Sequence, residues 1–309
     1  MDIDLDTLTL DAASEAIRDG RVTSLALTHE FLARIEKYDE HYNCYITVAA
    51  DSAIEQAETA DRLLAEGTWL GPLHGIPISV KDTIATKGVL TTIGSPAYEN
   101  WIPEHNAPVA QHLLDAGAVM LGKNTTHEFS AGQANPAYGE PKNPWSPGKS
   151  CLMSSHGSAA AVATGMALAS VGTDTGGSVR LPAAAVGVSG FKPSLAIMSR
   201  VGCYPRSDTL DMVGFMSHTV RSLAWMTSIA SRDDGIDLQM RGVQPQDFTA
   251  QFGRRLRGVR IGHRPLDDAG PIEPEVRDRY HEALEVLTSA GAELARYDYR
   301  TMPMCAPRA

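Results

Sequence analysis

Three short runs of this chain carry side chains able to break a bond to a carbonyl carbon. Gly172-Thr173-Asp174-Thr175-Gly176-Gly177-Ser178-Val179-Arg180 places a serine after a stretch nearly bare of side chains. Glycine leaves amide N–H groups uncovered and permits tight turns. A serine hydroxyl there can attack a carbonyl while neighbouring N–H groups hold the developing oxyanion. Gly75-Ile76-Pro77-Ile78-Ser79-Val80-Lys81-Asp82 ends an apolar run on a lysine. A lysine works as a base only when neutral, which requires burial to lower its pKa by several units. Ser154-Ser155-His156-Gly157-Ser158-Ala159-Ala160-Ala161-Val162 sets a serine pair at the head of an alanine-rich segment. Each run also has a plainer reading. Lys81 can be a surface lysine ion-paired to Asp82, Ser154 or Ser155 a helix N-cap, and Ser178 an ordinary loop residue.

The elements that must position these groups follow from periodicity and punctuation. Thr9 or Asp11 caps a short helix that stops at Gly20, and Thr23 or Ser24 opens a second. In that second helix Leu25, Leu27, Phe31, Leu32 and Ile35 follow helical spacing. Ala49 to Leu64 forms a third helix, and together the three make an outer layer ahead of the core. Ile76 to Val80 reads as a buried strand, with Lys81 at its C-terminal end, where functional groups collect in open α/β sheets. Helix over Ala107–Ala116 and strand over Ala118–Leu121 come next. A helix over Ser155–Ala169, a strand over Leu168–Gly172 and a helix over Val220–Ala230 follow. The last third reads as strand at Gly258–Gly262, helix at Glu273–Ala290 and strand at Ala292–Tyr299. Such alternation implies an α/β fold with a parallel or mixed sheet covered by helices on both faces.

The 309 residues suffice for one large domain or two smaller ones, and the absence of a linker favours one. The formal net charge of -10 argues against nucleic acid and anionic membrane as direct partners. Cys44, Cys151, Cys203 and Cys305 are too scattered for a disulfide framework or a zinc site. The acidic start Met1-Asp2-Ile3-Asp4-Leu5-Asp6 does not read as a signal peptide, so a cytoplasmic location is expected. The apolar stretch Ala159–Val171 is too short to span a membrane.

Lysine, serine and serine in this chain order resemble the amidase signature family of Ser-Ser-Lys amidohydrolases. Asn143-Pro144-Trp145, Gly190-Phe191-Lys192-Pro193-Ser194 and Leu210-Asp211-Met212-Val213-Gly214 extend the match. The resemblance implies roles residue by residue. Lys81 becomes the general base and Ser154 the bridging serine, 24 positions before the nucleophile Ser178. The N–H groups of Thr175, Gly176, Gly177 and Ser178 form the oxyanion hole, and Asp174 and Arg180 hold the loop in shape. The implied reaction is hydrolysis of a linear small-molecule amide to acid and ammonia or amine, through a Ser178 acyl-enzyme, without metal or organic cofactor. The implied organisation is a single domain over 1–309. It divides into an N-terminal helical layer at 1–66, a catalytic core at 67–232 and an incomplete C-terminal part at 233–309.

Two departures from the family pattern stand out. Cys151-Leu152-Met153 occupies the place of proline-glycine-glycine, and His156 that of a glycine. The family also has a cis bond entering the bridging serine, which glycine eases and Met153 does not. Leu195-Ala196-Ile197-Met198 lies where a glycine followed by arginine is usual. Members also run longer, so the chain reads as C-terminally truncated, with an open edge that invites a second copy or a partner subunit. The rival reading is therefore a catalytically impaired fragment, or a partner-dependent amidotransferase-type subunit. Other motifs fall away. Gly148-Lys149-Ser150 lacks the first glycine of a P-loop, and Ser189-Gly190-Phe191-Lys192 lacks the companion motifs of a β-lactamase. His127-Glu128 lacks the second histidine of a zincin.

Overall fold

A computed structural model describes residues 4–266 and 271–296. Its contacts divide the chain into two units, Met1–Thr249 and Ala250–Ala309.

The first unit is built on a six-stranded mixed sheet. Its strands are β1 (Tyr45–Val48), β2 (Pro77–Lys81), β3 (Val119–Asn124), β4 (Ala169–Asp174), β5 (Ser189–Phe191) and β6 (Met212–Ser217). Their order is β1-β3-β2-β4-β6-β5, with β2 parallel to both neighbours and β1, β5 and β6 antiparallel to theirs. The central strands β2 and β3 are buried along their whole length. That is why the polar Ser79 and Lys81 read as part of an apolar run: a strand covered on both faces shows no alternation. Pro77 is tolerated because it is the first residue of its strand.

Helices pack on both faces of this sheet. They are α1 (Leu10–Arg18), α2 (Ser24–Tyr42), α3 (Ala50–Ala65), α4 (Pro108–Asp115), α5 (His156–Ala163), α6 (Arg180–Val186) and α7 (Val220–Ala230). Thr9, Thr23 and Thr219 cap α1, α2 and α7 by accepting from Ala12, Ala26 and Ser222 N–H groups. Each such cap contributes about 1 kcal/mol. Helices α1 and α2 turn one face into the hydrophobic core, where Ile17, Leu27 and Phe31 are fully buried in one cluster with Ile78, Val171 and Phe215. Burying each of these side chains contributes about 1.5–3 kcal/mol.

Helix α5 is shorter than expected. Alanine continues through Ala169, so composition marks no end. Yet Thr164 is the C-cap, and Gly165 follows at φ +67° and turns the chain away. Strand β4 accordingly runs to Asp174 rather than stopping at Gly172. At the other end, Gly157 lets α5 press onto the end of β3. A Cβ there would lie 2.5 Å from the Thr125 carbonyl oxygen.

The second unit contains β7 (Arg260–His263), α8 (Pro274–Ser289) and β8 (Glu293–Arg296), with β7 and β8 paired in parallel. The expected strand end at Tyr299, and Cys305, lie outside the described residues. Cys44, Cys151 and Cys203 are free thiols. No helix among the described residues is long and apolar enough to cross a membrane.

Candidate active site

Strands β2, β3 and β4 run the same way, so their C-terminal ends open on one side of the sheet. The register sets Val80 opposite Val171, which leaves Lys81 beside the last residues of β4. The crossover from β3 to β4 passes through α5, whose N-terminus lies at that same end. Lys81 and Ser154, 73 residues apart, meet there.

Lys81 is fully buried, and its Nζ donates to Ser154 Oγ at 2.8 Å and to Thr173 Oγ1 at 2.8 Å. Burial lowers its pKa to about 7, although Asp174 pulls the other way. The surface reading of Lys81 therefore fails. Asp82 pairs with a different lysine, Lys123, at 4.0 Å. The capping reading of the serine pair fails as well. Ser155 stands at the N-cap of α5 but makes no side-chain cap bond. Its hydroxyl reaches across to β4, donating to the Thr173 carbonyl at 3.1 Å and accepting from the Thr173 N–H. Ser178 is 2% exposed, and its Oγ accepts from the Ser154 backbone N–H at 3.5 Å.

The serine loop is shaped by one carboxylate. Asp174, fully buried, accepts from the N–H groups of Gly177 at 2.7 Å, Val179 at 3.1 Å and Arg180 at 3.3 Å. It also takes the Arg180 guanidinium through Nε at 3.0 Å and Nη2 at 2.9 Å. Burial pushes this carboxyl up, but the Arg180 and backbone donors outweigh it and leave the pKa below the usual range. Gly177 sits at φ +119°, a backbone open to glycine and strained for other residues. Of the four amides assigned to an oxyanion site, that of Gly177 is thus taken up by Asp174. Replacing Asp174 by asparagine is expected to lower stability by about 2 kcal/mol, because the buried Gly177 and Val179 N–H groups lose a charged acceptor; the half-exposed Arg180 regains water and adds little. Urea unfolding checks this; an unchanged midpoint would refute it.

The segment entering Ser154 carries the departures noted above. Leu152 and Met153 both lie in the left-handed region, at φ +60° and +49°, where glycine is at ease. Ala196 does the same at φ +64°, within the other altered run. The peptide bond entering Ser154 is trans, unlike the family pattern. Leu152 is 44% exposed, so its side chain repays little of the backbone cost. Leu152→Gly should raise stability by about 0.5–1 kcal/mol after the entropy of the added glycine. A denaturation midpoint at or below that of the parent would count against this.

Several neighbours had no role assigned from the sequence. Thr173 shares the Lys81 amine. Asp211 ties the loop that follows β5 to the serine loop, accepting from Thr175 Oγ1 and from the Arg206 and Ser207 N–H groups. His156 is buried edge-on to His127, with ring centroids 4.7 Å apart. Burial, then His127 and Lys81, hold His156 well below the usual histidine pKa, so it is neutral. A cavity of about 200 Å³ adjoins these groups, with Thr173, Thr175, Cys203 and Arg206 on its wall.

Sheet, helices and site together define an α/β protein in which a buried lysine bonds one serine, whose backbone N–H meets a second serine on the loop after β4. The chain belongs to the amidase family, whose model matches residues 26–309. It is 38% identical over 305 residues to a glutamyl-tRNA(Gln) amidotransferase subunit of Roseiflexus sp. (strain RS-1), covering 98% of this chain and 62% of that one. It is 40% identical over 293 residues to the corresponding protein from Chloroflexus aurantiacus, covering 94% and 60%. The fold superposes on native peptide amidase from Stenotrophomonas maltophilia with a TM-score of 0.86 at 31% identity, covering 94% of this chain and 62% of that one. The glutamyl-tRNA(Gln) amidotransferase subunit from Thermotoga maritima gives 0.81 at 30% identity, covering 96% and 62%. The chain spans about three fifths of the length of the curated relatives it matches.

Proposed function

We propose that this chain hydrolyses a carboxylic acid amide to acid and ammonia or amine. The observation that carries this reading is the 2.8 Å contact between Ser154 Oγ and a fully buried lysine whose pKa is about 7. At neutral pH about half of such an amine is unprotonated and able to take a proton.

Neutral Lys81 accepts the Ser154 proton, and Ser154 accepts that of Ser178 as Ser178 Oγ attacks the amide carbon. This step needs the Ser178 hydroxyl to turn from the Ser154 N–H, a long contact at 3.5 Å, towards Ser154 Oγ. Such bonds commonly tighten only with substrate in place. The N–H groups of Thr175, Gly176 and Ser178 hold the oxyanion, while Asp174 and Arg180 keep their loop in shape. The proton returns through Ser154 to the leaving nitrogen, giving an ester on Ser178. Water attacks that ester by the reverse relay. Every step uses groups of the chain and water.

Ammonia release from simple aliphatic and aryl amides by the purified chain alone tests the reading. Labelling of Ser178 by a fluorophosphonate tests the nucleophile separately. A second reading is favoured by the names of the amidotransferase relatives: a subunit that cleaves amides only in a complex. Fluorophosphonate labelling without ammonia release by the lone chain would select it.

A further inference from the structure

One cation beside the serine loop has no assigned work. Arg206 lines the cavity of about 200 Å³ together with Thr173 and Thr175, which flank Asp174. Thr173 is the residue that shares the Lys81 amine, so the cavity opens next to the reactive groups. The charge of Arg206 is felt there, depressing both Lys81 and His127 behind the larger effect of their burial.

Of the other charges on the cavity wall, Arg200, Asp211 and Asp237 are already engaged. Asp211 is saturated by Thr175 Oγ1 and the Arg206 and Ser207 N–H groups. Asp237 accepts from the Arg200 N–H at 3.1 Å and stands 4.0 Å from the Arg200 guanidinium. Asp208 is exposed and offers its carbonyl, rather than its carboxylate, to Arg200 Nη1 at 2.7 Å. Arg206 differs from these. Arg206 is exposed, and its Nη1 donates to the Ser130 carbonyl at 2.9 Å, which tethers one end of the guanidinium. Among the described residues no carboxylate lies within ion-pair distance of it, so most of its five donors remain free. A held guanidinium with a free fork is built to take a planar, bidentate anion. Its main chain is held by Asp211, the carboxylate that also grips the serine loop, so fork and nucleophile share one support.

We propose that Arg206 receives a carboxylate borne on the acyl chain of the substrate, so that the protein prefers monoamides of dicarboxylic acids to neutral amides of equal length. This deepens the amidase reading and rests on it. Arg206 makes a neutral acyl chain no bond, whereas a carboxylate gains a charge-assisted pair there.

The test compares succinamate with butyramide. The ratio of their kcat/KM values should be about tenfold or more in favour of succinamate, and Arg206→Leu should bring it close to one. Arg206→Lys should recover part of it. Taking the ratio cancels any effect of Arg206 on Lys81, which acts on both substrates alike. A ratio near one in the parent, or one unchanged by Arg206→Leu, overturns the proposal. Calorimetric titration of succinamate into the Ser178→Ala protein gives a readout that needs no turnover. Binding that weakens about tenfold on adding Arg206→Leu supports the carboxylate site even if no amide is hydrolysed. Hydrolysis without a succinamate preference retains the amidase reading and removes this one.

Discussion

Ser178→Ala is expected to lower kcat for amide hydrolysis by about 10⁴-fold or more, the scale seen when a nucleophile acting within a relay is deleted. The fold should be almost untouched. The Ser178 hydroxyl is 2% exposed and accepts one long bond, from the Ser154 N–H at 3.5 Å. Losing such a contact costs well under about 1 kcal/mol, so thermal unfolding should move little. Fluorophosphonate labelling should vanish in the same variant. Turnover equal to that of the parent, measured as ammonia released, would end the assignment of Ser178.

Lys81→Met should be the second large effect, about 10²–10⁴-fold in kcat, the usual contribution of a positioned base. Methionine fills a similar volume and brings no charge. In the parent, kcat/KM should rise about tenfold per pH unit below pH 7 and level off above it, because only the neutral amine takes the Ser154 proton. Stability moves with pH in the same direction. The folded pKa of Lys81, about 7, lies below its ordinary 10.5, so between those values the unfolded chain binds more protons. Stability therefore climbs as pH rises from about 7 towards 10.5, and the burial cost is carried in full below pH 7. Lys123, lowered by burial to about 8, acts with the same sign. Removing Lys81 should make the slope of unfolding free energy against pH shallower across that window. Urea unfolding of parent and variant at about pH 7, 8.5 and 10 measures it, and identical slopes would show that the Lys81 amine is not held neutral by the fold.

The altered segment before Ser154 bears on both experiments. Cys151-Leu152-Met153 leaves the Lys81–Ser154 contact at 2.8 Å, and the cost falls on the backbone at Leu152 and Met153. The departures thus strain the approach to the bridging serine without separating it from the lysine. A neutral histidine next to Ser155 adds no charge to oppose proton transfer, although its Nε2 is left without a partner.

Much of the fold is legible in sequence wherever a local signal acts alone. Thr9 and Thr23 mark helix starts because their hydroxyls satisfy N–H groups three residues on. Helix α7 begins and ends where periodicity places it. The overrun of α5 shows the converse: alanine is content in a helix, and only the turn at Gly165 stops it. Strands β1 and β5 are short and half-buried, so no apolar run announces them.

The three chemistry-bearing runs, their order and their glycines are properties of the chain itself, because side-chain type and spacing are written there. Enclosure is not. The neutral state of Lys81, its sharing between Ser154 and Thr173 and the pairing of Asp82 with Lys123 arise only when parallel strands bring their ends together. Desolvation and hydrogen-bond choice depend on what surrounds a group in space, and most of those neighbours are many tens of residues away along the chain.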